Sequence, residues 1–192
     1  SAQWDELNPR FDAVLASTTF FQPQAIEPLA PPTSLGQEHR NEDGGFAFRT
    51  IPTYSVESYS GGSSYMEAPN ADPDFGPMIV LEVQIADAGS TTDQDFEELK
   101  RELAEGTQLQ YTNNREVTVG GLRGLATDLS GSADGEAIGG RIVLVKVKPT
   151  RIFIMLGAAP SAQWGELDPR FEAVLATITF FDIKEDEPLC GN

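Results

Sequence analysis

One segment occurs twice in this chain, and the duplication limits what the chain can fold into. Residues 1–21 read SAQWDELNPRFDAVLASTTFF and residues 161–181 read SAQWGELDPRFEAVLATITFF; the same offset of 160 residues returns Glu27, Pro28 and Leu29 as Glu187, Pro188 and Leu189. Between the copies Asp5 becomes Gly165, Asn8 becomes Asp168, Asp12 becomes Glu172, Ser17 becomes Thr177 and Thr18 becomes Ile178. What repeats is the closing element of a larger unit. The offset predicts a tandem array with a period of about 160 residues, in which the last element of one module precedes a complete module.

In the second copy Trp164, Leu167, Phe171, Val174, Leu175 and Ile178 fall three and four residues apart, as on one apolar stripe of a helix. Proline inside a helix removes a backbone hydrogen bond and clashes with the preceding turn. Pro169 is therefore expected at the first helical position, with Asp168 as N-cap, a short turn over residues 161–167 before it, and the helix running to about Thr177. Asn8 and Pro9 predict the same conformation for the first copy. Six such side chains at about 1.5–3 kcal/mol each supply roughly 10 kcal/mol of gross burial, and so short a helix is marginal alone, so each copy needs a surface. The C-terminal copy closes its own module. The N-terminal copy, with Trp4, Leu7, Phe11, Val14 and Leu15 as its partner-binding residues, has three surfaces open to it: a secondary surface of this module, the same slot, or another chain. The last makes a homodimer through residues 1–21, because exchange of a duplicated element is a low-cost route to association. The alternative to all three is a frayed extension.

A chain of 192 residues supports one domain with a real core plus an appendage. Thirty acidic residues against thirteen basic ones, a formal net charge of -17, argue against nucleic acid and anionic membranes as partners. No apolar run approaches the roughly 20 residues that cross a bilayer, so no direct membrane insertion is expected, and with no signal peptide read in the chain any export or anchoring signal is placed outside it. The lone Cys190 stands where the first copy has Ala30, cannot form an internal disulfide, and is read as incidental.

Residues 22–43 carry Pro23, Pro28, Pro31 and Pro32 without apolar period and read as a proline-rich linker. The sole histidine, His39, falls in it and is expected to be solvated, since no second ligand or nucleophile stands nearby in sequence. The module proper is expected over residues 44–183, with 184–192 a tail. Its elements are a strand over residues 45–51 with Phe46 and Phe48 on one face, an aromatic segment through Tyr54, Val56 and Tyr59, a loop SGGSS, turn-rich residues 66–77, and a core strand over residues 78–86. In that strand Leu81, Val83 and Ile85 alternate against Glu82 and Gln84. Thr91 with Gln94, or Thr92 with Asp95, has capping-box spacing before the stripe Phe96, Leu99, Leu103, whose opposite face, Lys100 included, is expected in solvent. Strands then follow over residues 108–112, 116–119, 122–130, 137–148 and 150–158, joined by short turns as an antiparallel meander that helices cover.

This order of elements resembles the PsbP family, the extrinsic proteins of photosystem II, whose fold DcrB-type bacterial lipoproteins and Ran-binding relatives share. The segments that carry the resemblance are FAFRTIPTYSVES, the helix DFEELKRELAEG, VTVGGLRGLATDLSG, the paired strands RIVLVKVKPTRIFIMLGAAP and the closing WGELDPRFEAVLATITF, together about residues 44–181. The resemblance implies an α+β fold, an α/β/α sandwich around a central antiparallel sheet, and a binding or scaffolding role. It carries over no functional residue.

Candidates for chemistry are few. With one histidine in a linker and one cysteine on a tail, neither ordinary nucleophile–base arrangement is expected. VGGLRGLA lacks the spacing of phosphate-binding loops and runs into a strand, so its glycines are read as a tight turn and a bulge. Asn70, Asp72 and Asp74 place oxygens at alternate positions, a candidate metal site for Ca2+, but the glycine and distant glutamate of an EF-hand are out of place and Pro73 interrupts; no cofactor is expected. Phe46, Phe48, Tyr54 and Tyr59 are read as core, with Tyr59 and Tyr65 beside Gly61 and Gly62 as candidates to line a small cleft. The expectation is a non-enzymatic extracytoplasmic module of a bacterial cell surface that binds a protein or cell-envelope partner. The alternatives are a hydrolase using carboxylates of the Tyr59–Asp74 region and a purely structural spacer array.

Overall fold

Residues 138–160 place large apolar side chains on both faces of two adjacent strands, and the rest of the molecule is arranged to cover them. In the computed structural model, residues 34–71, 76–105, 107–133 and 135–181 are described. In chain order the elements are β1 (Glu38–Asn41), β2 (Phe46–Arg49), β3 (Ser55–Tyr59), β4 (Ser63–Glu67), β5 (Met78–Ile85), α1 (Thr92–Ala104), β6 (Gln110–Val119), β7 (Leu122–Ala133), β8 (Glu136–Lys148), β9 (Arg151–Pro160), α2 (Ser161–Leu175) and β10 (Thr179–Phe180). Seven strands form one antiparallel sheet in the order β3-β4-β5-β9-β8-β7-β6, and β1-β2-β10 form a smaller one. β6 to β9 are the predicted meander. Gly120 and Gly121, both at positive φ, make the two-residue turn between β6 and β7. The register shift lies at Thr112/Arg115, so the segments read as two strands are one bulged strand.

The pleat sends alternate residues of β8 and β9 into two separate cores. Val143, Val145, Phe153 and Met155 pack with Leu167, Phe171, Val174 and Leu175 of α2, with Ile178, and with Phe46 and Phe48 of the small sheet. Ile142, Leu144, Ile152 and Ile154 pack with Phe96 and Leu99 of α1. α2 approaches β9 closely: a Cβ added at Gly157 would lie 2.5 Å from Phe171 Cδ2. At the start of α1 the capping box of Thr91 and Gln94 is formed in both directions. Lys146 Nζ donates to the Ser90 carbonyl and hydroxyl oxygens, each at 2.6 Å, and to Asp95 at 3.0 Å, which pins that end of the helix to β8.

Several expectations are corrected. α2 is continuous from Ser161, with Pro169 inside it and Asp168 not a cap. Proline in a helix interior costs about 3 kcal/mol, less than burying four large side chains of this helix recovers; the missing hydrogen bond would have gone to the carbonyl of Gly165, an exposed residue with open space around it. The linker reading fails at residues 38–41, which form β1 against β2, so His39 lies in a strand opposite Phe48. Residues 63–67, read as loop and turn, form β4, with Met66 fully buried, because the sheet needs a strand between β3 and β5. Lys100 is buried: its Nζ lies over the Phe96 ring, 5.1 Å from the centroid, and donates to Glu97 at 2.7 Å. The alternation in β5 inverts at its end, where Ile85 is 46% exposed and Glu82 only 7%.

Candidate functional site

Three constellations carry polar chemistry. The first joins α2 to the sheet. Arg141, opposite Asp128 in the β7–β8 register, donates from Nε to Asp128 at 2.6 Å and from Nη1 to Asp168 and Glu172 of α2, each at 2.5 Å, with Trp164 5.9 Å from its guanidinium. Arg115 adds longer contacts to Asp128 and Glu172, and Asn113 donates to Asp128 at 2.8 Å from the bulge of β6. Burial pushes the Asp128 carboxyl up, but the hydrogen bonds from Arg141 and Asn113 and the two nearby guanidinium charges outweigh it and hold it below the usual carboxylate range. Every carboxylate here is occupied by a cation. The cluster is a clamp that ties α2 to β7 and β8.

The second is a chain of hydrogen bonds between the two sheets. Asn41 Nδ2 donates to Ser64 Oγ (2.9 Å), Ser64 and Ser58 hydroxyls lie 3.0 Å apart, and Ser58 Oγ lies 2.8 Å from His39 Nε2. The amide nitrogen can only donate, so the arrangement that satisfies fully buried Ser64 runs Asn41 to Ser64 to Ser58 to His39, with neutral His39 accepting at Nε2. Burial lowers the His39 pKa in the same direction. This is a hydroxyl–imidazole pair that sequence spacing gave no hint of, because its members are 19 residues apart and meet only where β1 of the small sheet lies beside β3 of the large one. A hydrolytic pair also needs a third group holding the base and donors for an oxyanion; neither is seen around His39 and exposed Ser58 among the described residues.

The third is the face of β3, β4 and β5 on the side of the sheet that carries α1. The registers put Tyr59 beside Ser63 and Glu82, and Tyr65 beside Val80 and Leu156. Tyr59 and Tyr65 meet edge to face at 5.1 Å, and the Tyr59 hydroxyl donates to Glu57 at 2.7 Å. Glu82 accepts from Gln84 Nε2 at 2.6 Å; burial pushes its carboxyl up to about 7, and that hydrogen bond offsets the push only in part.

No protein-family model matches the chain, and no curated protein matches it in sequence. Among solved structures it is similar to cyanobacterial PsbP (CyanoP) of Synechocystis sp. PCC 6803, at 9% identity and a TM-score of 0.56 over 83% of this chain and 98% of that one. It is also similar to LpqN of Mycobacterium tuberculosis, described as involved in cell envelope biogenesis, at 13% identity and a TM-score of 0.59 over 78% of this chain and 87% of that one.

The fold is PsbP-like.

In this PsbP-like, α+β domain the sequence-named residues fare differently. Tyr59 and Tyr65 are brought together, yet Tyr59 is 43% exposed and not the core residue it was read as. Asn70 sits exposed in a turn at φ 56, while Asp72 and Asp74 lie outside the described residues, as do Trp4, Leu7, Phe11, Val14, Leu15 and Cys190. Among the described residues no group of three or more His, Cys, Asp or Glu is placed to hold a metal, and no helix is long and apolar enough to cross a membrane. Arg141, Asp128 and Glu82 were missed. An arginine or acid inside an apolar alternation is a signal that could have found Arg141 and Glu82, because such a residue must be paired or neutralised when its strand is central.

Proposed function

We propose that this chain is a non-catalytic binding or scaffolding module of a tandem-repeat protein, working outside the cytoplasm at the bacterial cell envelope. One observation carries the reading: two buried charged groups, Arg141 with three carboxylates and Lys146 with Asp95, fix α2 and α1 to the sheet. That is the economy of a scaffold. The two cores on opposite faces favour an α/β/α sandwich, with the small sheet sharing the layer of α2. The fold shared with LpqN, described as involved in cell envelope biogenesis, supports an envelope setting, and the offset repeat supports an array of such modules.

The test pairs activity with binding. The purified chain is expected to leave fluorophosphonate probes and simple esters untouched and to retain, saturably, a protein from the envelope fraction of its source organism. Labelling of Ser58 that disappears in His39→Ala would overturn the non-catalytic reading; saturable retention confined to cytosolic protein would overturn the envelope setting.

A further inference from the structure

The two copies of the closing segment differ at five positions between residues 1–21 and 161–181, and the surroundings of α2 show what each difference would do in its place. Two are silent. Gly165, matched by Asp5, is exposed with open space beyond it, and Thr177, matched by Ser17, makes its hydrogen bonds through the hydroxyl that serine keeps: Oγ1 donates to the Val174 carbonyl at 2.7 Å and accepts from the Arg49 backbone at 2.9 Å. The residues by which α2 fills the first core, Leu167, Phe171, Val174 and Leu175, are the same in both copies. The other three differences fall where the slot is selective. Ile178, 2% exposed just after the helix, is matched by Thr18, whose hydroxyl would enter the core. Asp168 and Glu172, four residues apart on one face of α2, both accept from Arg141 Nη1 at 2.5 Å, and Arg115 lies 3.5 Å from Glu172. Asn8 brings no charge to the first place, and Asp12 is one methylene shorter at the second, so charge-assisted bonds from Arg141 would be weakened or lost. The larger share belongs to Ile178, because the Asp168 and Glu172 side chains are 37% and 48% exposed.

We propose that the pocket of Ile178 and the Arg141 cluster form a selectivity device, by which the slot takes α2 and refuses the N-terminal copy of the same segment, from its own chain or a neighbouring one. Identical elements exchange between protomers at little cost, since every contact made in the closed form is remade in the exchanged one. A chain that holds a segment twice is exposed to that exchange. Shape cannot prevent it here, because the apolar residues from Leu167 to Leu175 are common to both copies. A buried hydroxyl and missing carboxylates can, since both penalise the wrong occupant while leaving the right one untouched. The consequence is a module that carries its predecessor's closing segment and is still closed by its own, so that chains remain separate instead of linking through their slots. The inference rests on the repeat and on the contacts of α2, and is independent of the envelope setting.

The experiment labels the full chain with fluorotryptophan, assigns the fluorine NMR signals of Trp4 and Trp164 with Trp4→Phe, and reads the solvent isotope shift of Trp164, which is half-buried against Gly139 while α2 fills the slot. One variant trades the determinants: Asn8→Asp, Asp12→Glu and Thr18→Ile together with Asp168→Asn, Glu172→Asp and Ile178→Thr. A second carries only the three changes at 168, 172 and 178. The trade is expected to raise the solvent shift of Trp164 several-fold as the other copy takes the slot, with light scattering showing whether that copy comes from the same chain or another; the second variant, with no better competitor present, is expected to keep Trp164 protected. Where Ile178→Thr unfolds the chain by circular dichroism, the four changes at 8, 12, 168 and 172 alone are expected to move Trp164 in the same direction by a smaller amount. A solvent shift of Trp164 unchanged by the trade would overturn the proposal, as would a rise of equal size in the second variant, which would be loss of stability and not competition.

Discussion

Exchanging residues of α2 and of the turn after it for those of the N-terminal copy tests whether the slot discriminates between the two sequences. The double replacement Asp168→Asn, Ile178→Thr converts two of the positions at which the copies differ and the slot would notice. Ile178 is 2% exposed and packs in the first core. Shortening it to a valine-like shape costs about 0.5–1.5 kcal/mol, and placing a hydroxyl there without a partner adds about 1–3 kcal/mol. Asp168 contributes less. Its side chain is 37% exposed and Arg141 keeps Asp128 and Glu172, so its loss is worth at most about 1 kcal/mol. The pair should cost about 2–5 kcal/mol in urea unfolding, nearly all of it from Ile178→Thr alone. A loss below about 1 kcal/mol would mean that position 178 accepts a hydroxyl and that the slot does not discriminate between the two sequences.

Four further outcomes follow. The Glu82 carboxyl rises from an ordinary 4.5 to about 7, so between those values the folded state binds more protons than the unfolded one and stability falls as pH rises. Urea unfolding at pH 5 and pH 8 should show a loss of roughly 2.5 kcal/mol that Glu82→Gln abolishes relative to the parent; equal slopes in both proteins would place Glu82 in water. Lys146→Met strands Asp95 and should destabilise by about 2–4 kcal/mol, and adding Asp95→Asn should recover part of that, measured as a double-mutant cycle. Gly157→Ala forces Phe171 aside and should cost about 1–3 kcal/mol with a lowered melting temperature. Ser58→Ala removes the hydroxyl that donates to His39 Nε2 and should raise the pKa of the sole histidine, read by NMR titration; an unchanged or lower value would reverse the hydrogen-bond direction assigned to the chain.

Local chemistry was legible without coordinates. Thr91 and Gln94 cap α1 because the caps are four residues of adjacent chain, the meander follows from alternating apolar residues between tight turns, and the stripe from Leu167 to Ile178 is buried as its spacing requires. The duplication itself is a fact of sequence alone. Tertiary structure decided whatever depended on what covers a side chain. Pro169 could enter a helix only because the sheet receives that helix; Glu82, which periodicity assigns to water, is buried in a central strand of the sheet; and His39 meets Ser58 only across two sheets. A residue's spacing tells which side of its own element it faces, but whether that side meets solvent, core or a partner is set by long-range packing, and so are its charge and its chemistry.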